Sequence, residues 1–176
     1  MWLSRPPALS SALLAALVLL GACGFRPLYG SKEKGAAAAE LAAVEIKPIA
    51  DRAGQQLHNL LLDRINPRGR PAKPRYILKI RLTQSIERLA VRKTAFSTRA
   101  NLRLTAAFVL APAGGGEVLV SGTSLAISSY NILSSEFATL TSEKDARSRA
   151  TGQLAEDIRT RLAVFFTQRK VAGEGL

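Results

Sequence analysis

The chain has one cysteine, one histidine and one methionine in 176 residues, and aromatic side chains make up only 6% of it. A lone cysteine, Cys23, cannot close an internal disulfide. With His58 as the only imidazole and the carboxylates scattered, the sequence offers neither a set of metal ligands nor a histidine-dependent triad. Ser121, Ser124, Ser128 and Ser129 sit outside any Gly-x-Ser-x-Gly elbow, and the glycine triplet 114–116 lacks the Lys and Thr of a phosphate loop. These gaps predict a protein that is not an enzyme and needs no metal or other cofactor. Acids are also scarce, 13 Asp and Glu against 25 Lys and Arg, for a formal charge of +12. Long apolar runs are limited to one, from Ala8 to Leu20, which falls short of the roughly 20 residues that a membrane-spanning helix requires.

What is present begins with that run. Met1 to Pro7 is a polar start carrying Arg5, the apolar stretch follows, and Leu20-Gly21-Ala22-Cys23 closes it. This is the layout of a secretory signal ending in a bacterial lipobox: an aliphatic residue, two small ones, then the lipid-bearing cysteine. Cleavage is expected after Ala22, with Cys23 carrying a diacylglyceryl group and an N-acyl chain of the palmitate type. Each buried methylene contributes about 0.8 kcal/mol, so several chains anchor stably where one holds marginally. Gly24 stands where aspartate would resemble an inner-membrane retention signal, and the outer membrane is therefore the expected location. The expected division is a cleaved signal over 1–22, a lipidated tether over 23–40 and a single domain over 41–176.

The positive charge is concentrated. Residues 23–63 carry five basic and five acidic side chains and residues 104–176 carry seven of each, whereas residues 64–103 carry twelve basic groups against Glu87 alone. Clustered charge raises the local concentration of its opposite, which points to an anionic partner. Only Tyr76 and Phe96 accompany these cations, a thin platform for stacking bases, so nucleic acid is not expected. The candidate contact residues are Arg81, Arg88, Arg92, Lys93, Arg99 and Arg103, chosen on charge clustering. Phosphorylated lipid, the acidic wall of a partner, or both are open as targets; a solvated, solubilising rim is the plainer reading of any one of these side chains.

Periodicity supplies the architecture. Leu41–Ile49 reads as a strand ended by Pro48, and Asp51 reads as the N-cap of a helix to about Asn66, with Leu57, Leu61 and Ile65 on one side. In Tyr76–Glu87, Leu78, Ile80 and Leu82 alternate with Lys79, Arg81 and Thr83, so one face is core and the other wet and basic. Leu102 to Leu110 repeats the alternation, and residues 112–116 turn the chain into a fourth strand from Val118 to about Ile127. Arg88 to Ala100 reads as a flared hairpin end that gathers Arg88, Arg92, Lys93 and Arg99. From Ser135 to about Lys170, Phe137, Leu140, Ala146, Ala150, Leu154, Ile158, Leu162 and Phe165 describe one long amphipathic helix. The order β-α-β-β-β-α predicts a two-layer α/β (α+β) sandwich: a four-stranded sheet, mostly antiparallel or mixed, with two helices on one face and the other face free.

The string Cys23-Gly24-Phe25-Arg26-Pro27-Leu28-Tyr29-Gly30 resembles the mature N-terminus of lipopolysaccharide-assembly lipoproteins of the LptE family, in particular the alphaproteobacterial branch. Tyr130-Asn131, Ser135-Glu136-Phe137-Ala138, Arg149-Ala150 and Leu154-Ala155-Glu156-Asp157-Ile158 resemble the strand exit and final helix of the same group. The middle of the chain is similar in element order rather than in letters, so no family residue maps onto the basic stretch. The resemblance implies a two-layer α/β fold and an outer-membrane lipoprotein that plugs an LptD-type β-barrel and assists lipopolysaccharide insertion into the outer leaflet. A lipid-anchored periplasmic binding module for anionic phospholipid or cell-wall polymer is the alternative function.

Overall fold

The computed structural model describes residues 32–89 and 99–174. The chain divides into Met1–Lys34, nearly all of it outside those residues, and Gly35–Leu176, which holds the domain. The signal, the lipobox and Cys23 therefore lie outside the described residues, as do Arg92 and Lys93.

The first element is a helix, α1 (Lys32–Ala42), over much of the segment whose small residues suggest an extended tether. Alanine is the strongest helix former, and four consecutive alanines, 36–39, favour the helical state here. Eleven residues are too few to hold a helix alone in water. Tertiary contact completes it, because Ala37 and Leu41 are buried in the domain core. The last turn of α1 takes Leu41 and Ala42, which shortens the expected first strand to β1 (Val44–Ile46).

Helix α2 (Asp51–Ile65) buries Ala53, Leu57, His58, Leu61 and Ile65 at three- and four-residue steps. Its N-cap is Ala50, with no side-chain cap bond, rather than the expected Asp51. Asp51 instead adopts a left-handed φ of 67°, a conformation that aspartate tolerates better than most residues, and its carboxylate stands in the first turn where the helix dipole favours it. Asn66 ends the helix by donating its backbone N–H to Leu62 O at 2.8 Å, and its Nδ2 reaches Ala42 O at the end of α1.

Strands β2 (Tyr76–Leu89), β3 (Arg99–Pro112) and β4 (Val120–Asn131) form the rest of the sheet. The order is β1-β2-β3-β4, with β1 parallel to β2 and the other pairs antiparallel. The sheet is thus mixed, and the β2–β3 register runs without a break from Tyr76 opposite Pro112 to Leu89 opposite Arg99. Strand β4 starts two residues later than expected and runs on to Asn131. Ser128 and Tyr130 continue the inward alternation there, so polar letters hide a strand end that is half buried.

Helix α3 (Glu136–Glu174) packs on β3 and β4 and against α2. The expected stripe holds from Ala146 to Leu162, where Ala146, Ala150, Thr151, Leu154, Ala155, Ile158 and Leu162 are fully buried. It fails at both ends. Phe137 and Leu140 are exposed, and Phe166, not Phe165, is the aromatic sealed in the core, where its ring lies 5.0 Å from that of Tyr76. Small residues at 146, 150 and 155 let α3 approach the sheet closely. The core between layers is completed by Leu78, Leu102, Leu104, Phe108 and Leu110. Each such side chain contributes about 1.5–3 kcal/mol on burial.

Candidate functional site

The helices cover one face of the sheet and leave the other open, and strand alternation decides which cations stand on which. Lys79, Arg81, Arg99 and Arg103 project on the open face: their register partners Val109, Ala107, Leu89 and Ser85 all fall on the rows opposite to the buried ones. Arg88 does not join them. It is the register partner of Ala100, which pairs in turn with Tyr130, both buried beneath the helix layer. The hairpin end therefore splits the expected group, with Arg99 on the open side and Arg88 on the helix side.

Electrostatics agrees with that placement. Burial raises the proton affinity of the Tyr130 hydroxyl, Glu143 raises it further, and Arg88 and Arg147 pull it the other way. Arg88 is accordingly within electrostatic reach of the Tyr130 hydroxyl. Arg147 is ion-paired with Glu143, and its Nε donates to Gln84 Oε1 at 3.4 Å.

The two layers differ in how their charges are matched. On the helices, Arg64 and Arg159 pair with Glu156, and Arg161 pairs with Asp157. Near β1, Arg75 pairs with Glu40, whose other oxygen accepts from the Tyr76 hydroxyl at 2.8 Å. On the sheet, Lys79, Arg81 and Arg103 are exposed and make no ion pair among the described residues. The only acid on that face of β2 is Glu87. Lys79, Arg81, Ala107 and Val109 border a shallow depression of about 370 Å³. Small residues opposite long cations leave space in which an anion can be approached from two sides. A larger depression of about 770 Å³ between α2 and α3 is lined by Arg52, Lys144 and Arg147 and by Glu143 and Asp145, so most of its charge is matched within its own walls.

Lys79 was outside the charge-clustered candidates although the same alternation that selects Arg81 selects it. The signal was the period of two, not the density of charge. Among the described residues there is no group of three or more His, Cys, Asp and Glu able to hold a metal, and no helix is long and apolar enough to cross a membrane.

The described residues thus form an α/β sandwich with one face sheathed in helices and the other presenting cations that have no ion-pair partner among them. The family model for LptE, lipopolysaccharide-assembly, matches residues 41–162, and the chain belongs to that family, whose members are not enzymes. An uncharacterized protein of Rickettsia prowazekii (strain Madrid E) is 24% identical over 157 residues, covering 89% of this chain and 97% of that protein. Among solved structures, a lipoprotein candidate from Caulobacter crescentus CB15 superposes with a TM-score of 0.63 at 19% identity, covering 76% of this chain and 97% of the other. A minor lipoprotein from Acinetobacter baumannii gives 0.55 at 18% identity, with 69% and 91% covered. These two likenesses concern the fold.

Proposed function

We propose that this protein is an outer-membrane lipoprotein, anchored through Cys23 after removal of residues 1–22, that partners an LptD-type β-barrel as a plug and assists the assembly of lipopolysaccharide into the outer leaflet. Residues 23–31 then link the lipid on Cys23 to α1. The observation that carries the reading is the open sheet face, on which Lys79, Arg81 and Arg103 stand without ion-pair partners among the described residues, while Arg64, Arg147, Arg159 and Arg161 of the helix layer are paired. Guanidinium groups recognise phosphate by paired, charge-assisted hydrogen bonds, and the phosphates of lipid A are the anions that membership of a lipopolysaccharide-assembly family brings into reach. Arg99, on the same face, extends the surface along β3; Arg88 serves the opposite face.

Replacing Lys79, Arg81 and Arg103 together by glutamate tests this directly. Binding of purified lipopolysaccharide is expected to weaken about tenfold or more, because each charged hydrogen bond contributes about 1.5–3 kcal/mol. Lipopolysaccharide stripped of its lipid A phosphates should bind the unaltered protein as weakly as the intact ligand binds the variant. Unchanged lipopolysaccharide binding together with unchanged barrel copurification overturns the assignment of the face.

A further inference from the structure

Strand β2 is fourteen residues long, yet β1 pairs with only its first three, Tyr76 to Leu78, before the chain leaves the sheet at Pro48. Lys47 donates its backbone N–H to Leu78 O at 3.0 Å, so the polar backbone groups of Leu78 face the β1 side. By the unbroken antiparallel alternation against β3, those of Leu82, Gln84, Ile86 and Arg88 face the same way. Among the described residues none of these four finds a backbone partner there. The helix layer falls short at the same place. Gln84, Ile86 and Arg88 point toward it, and their register partners Leu104, Leu102 and Ala100 are fully buried, but Ile86 is 42% exposed and Gln84 and Arg88 are exposed with it. Helix α3 covers β3 and β4. Helix α2 begins at Asp51, which with Arg52, Ala53, Leu82, Gln84 and Arg147 borders a depression of about 400 Å³.

We propose that the edge of β2 from Leu82 to Arg88 takes an extended, acidic segment of another polypeptide, added to the sheet as a strand in line with β1. A ladder of outward N–H and C=O groups is matched by a second backbone, which supplies the affinity while pockets for alternate side chains supply the selectivity. An acyl chain would leave those groups unpaired, at a cost. Side chains of the added strand on the helix side would cover Leu82 and Ile86, with the depression beside Ala53 as room for one of them. Charge selects the acidic character. Arg81 on the open side and Arg88 on the helix side flank this edge without an ion pair among the described residues, and Glu87 is the only acid on the strand. The same charges discourage indiscriminate strand pairing, as they do at sheet edges generally. Arg81 also belongs to the open face, but strand addition rests on the backbone of β2 and stands or falls separately from lipopolysaccharide binding.

The probe is a blocked synthetic peptide of about eight residues, alternately valine and glutamate, long enough to span this edge. It is titrated into the full-length mature chain in detergent, without lipopolysaccharide. Binding with a dissociation constant below about 1 mM is expected. A peptide with lysine in place of glutamate should bind about tenfold more weakly or worse, and so should the original peptide to Arg88→Glu. Amide exchange gives the decisive pattern. In the chain alone Leu82, Gln84, Ile86 and Arg88 should exchange fast and Arg81, Thr83, Ser85 and Glu87, bonded to β3, slowly; the peptide should slow the first set. N-methylation separates backbone pairing from mere contact without touching the protein. Methyl groups on the valine amides should abolish binding if the added strand is antiparallel, and those on the glutamate amides if it is parallel. Absence of binding, equal binding by both methylated peptides, or protection that does not alternate overturns the proposal. So does protection of Leu82, Gln84, Ile86 and Arg88 before peptide is added, which assigns the edge to another segment of this chain or to a second copy.

Discussion

Gly122 and Phe108 show how one position depends on another that lies far away in the chain. They are register partners, and a Cβ at Gly122 would stand 2.9 Å from Phe108 Cζ, inside the buried core. Gly122→Ala should therefore destabilise the domain by about 1–3 kcal/mol, the cost of overpacking, read from urea unfolding. Tyr76 provides a second test. Burial, and then its bond to the Glu40 carboxylate, raise its hydroxyl pKa above 10.0. The folded state thus holds the proton more tightly than the unfolded chain, so stability is complete below about pH 10 and declines as pH rises toward the folded value. Tyr76→Phe should flatten that alkaline decline. The inward side chains of β2 and β3 were legible from the sequence, since Leu78, Leu102, Leu104, Phe108 and Leu110 need only a period of two. The faces of Arg88 and Arg99 were not. They depend on the hairpin register, which is fixed by cross-strand pairing and leaves no local mark in the letters.

At the scale of elements, α1 is the main departure from the sequence reading. Its composition of Ala, Gly, Lys and Glu carries almost no amphipathic pattern, so small residues looked like a linker; two buried contacts, Ala37 and Leu41, make it part of the fold. Leu41→Ala should cost about 2–5 kcal/mol if the helix is docked, measured by denaturant unfolding, whereas a loose tether would register almost nothing. Amide exchange should show protection at residues 39–42 comparable to that of α2. Helix α3 presents the converse case. The apolar period was real, but period alone does not say where a helix stops being covered, and Phe137 and Leu140 lie past the point where sheet and α2 shield it. Strand β4 runs past its expected end at about Ile127 to Asn131, because burial of Ser128 and Tyr130 is a property of the layer above them.

Across the whole molecule, charge is segregated by layer. On the helices Arg64, Arg147, Arg159 and Arg161 pair with Glu143, Glu156 and Asp157, and the twelve basic residues in 64–103, against one acid, are delivered in part to the open sheet face. Exposed, unmatched cations attract anions through a field that salt screens within about 10 Å at 0.1 M. Association with anionic vesicles should accordingly weaken as salt rises toward 0.5 M, and the triple variant at Lys79, Arg81 and Arg103 should show much less of that dependence. The central claim is that the open face, and not the helix layer, meets lipopolysaccharide. Photo-crosslinking in cells tests it most directly, with one probe at Thr83 beside Arg81 on the open face and another at Asn59 on the exposed side of α2. The account predicts lipopolysaccharide adducts from Thr83 and none from Asn59; adducts from Asn59 with none from Thr83 would contradict it.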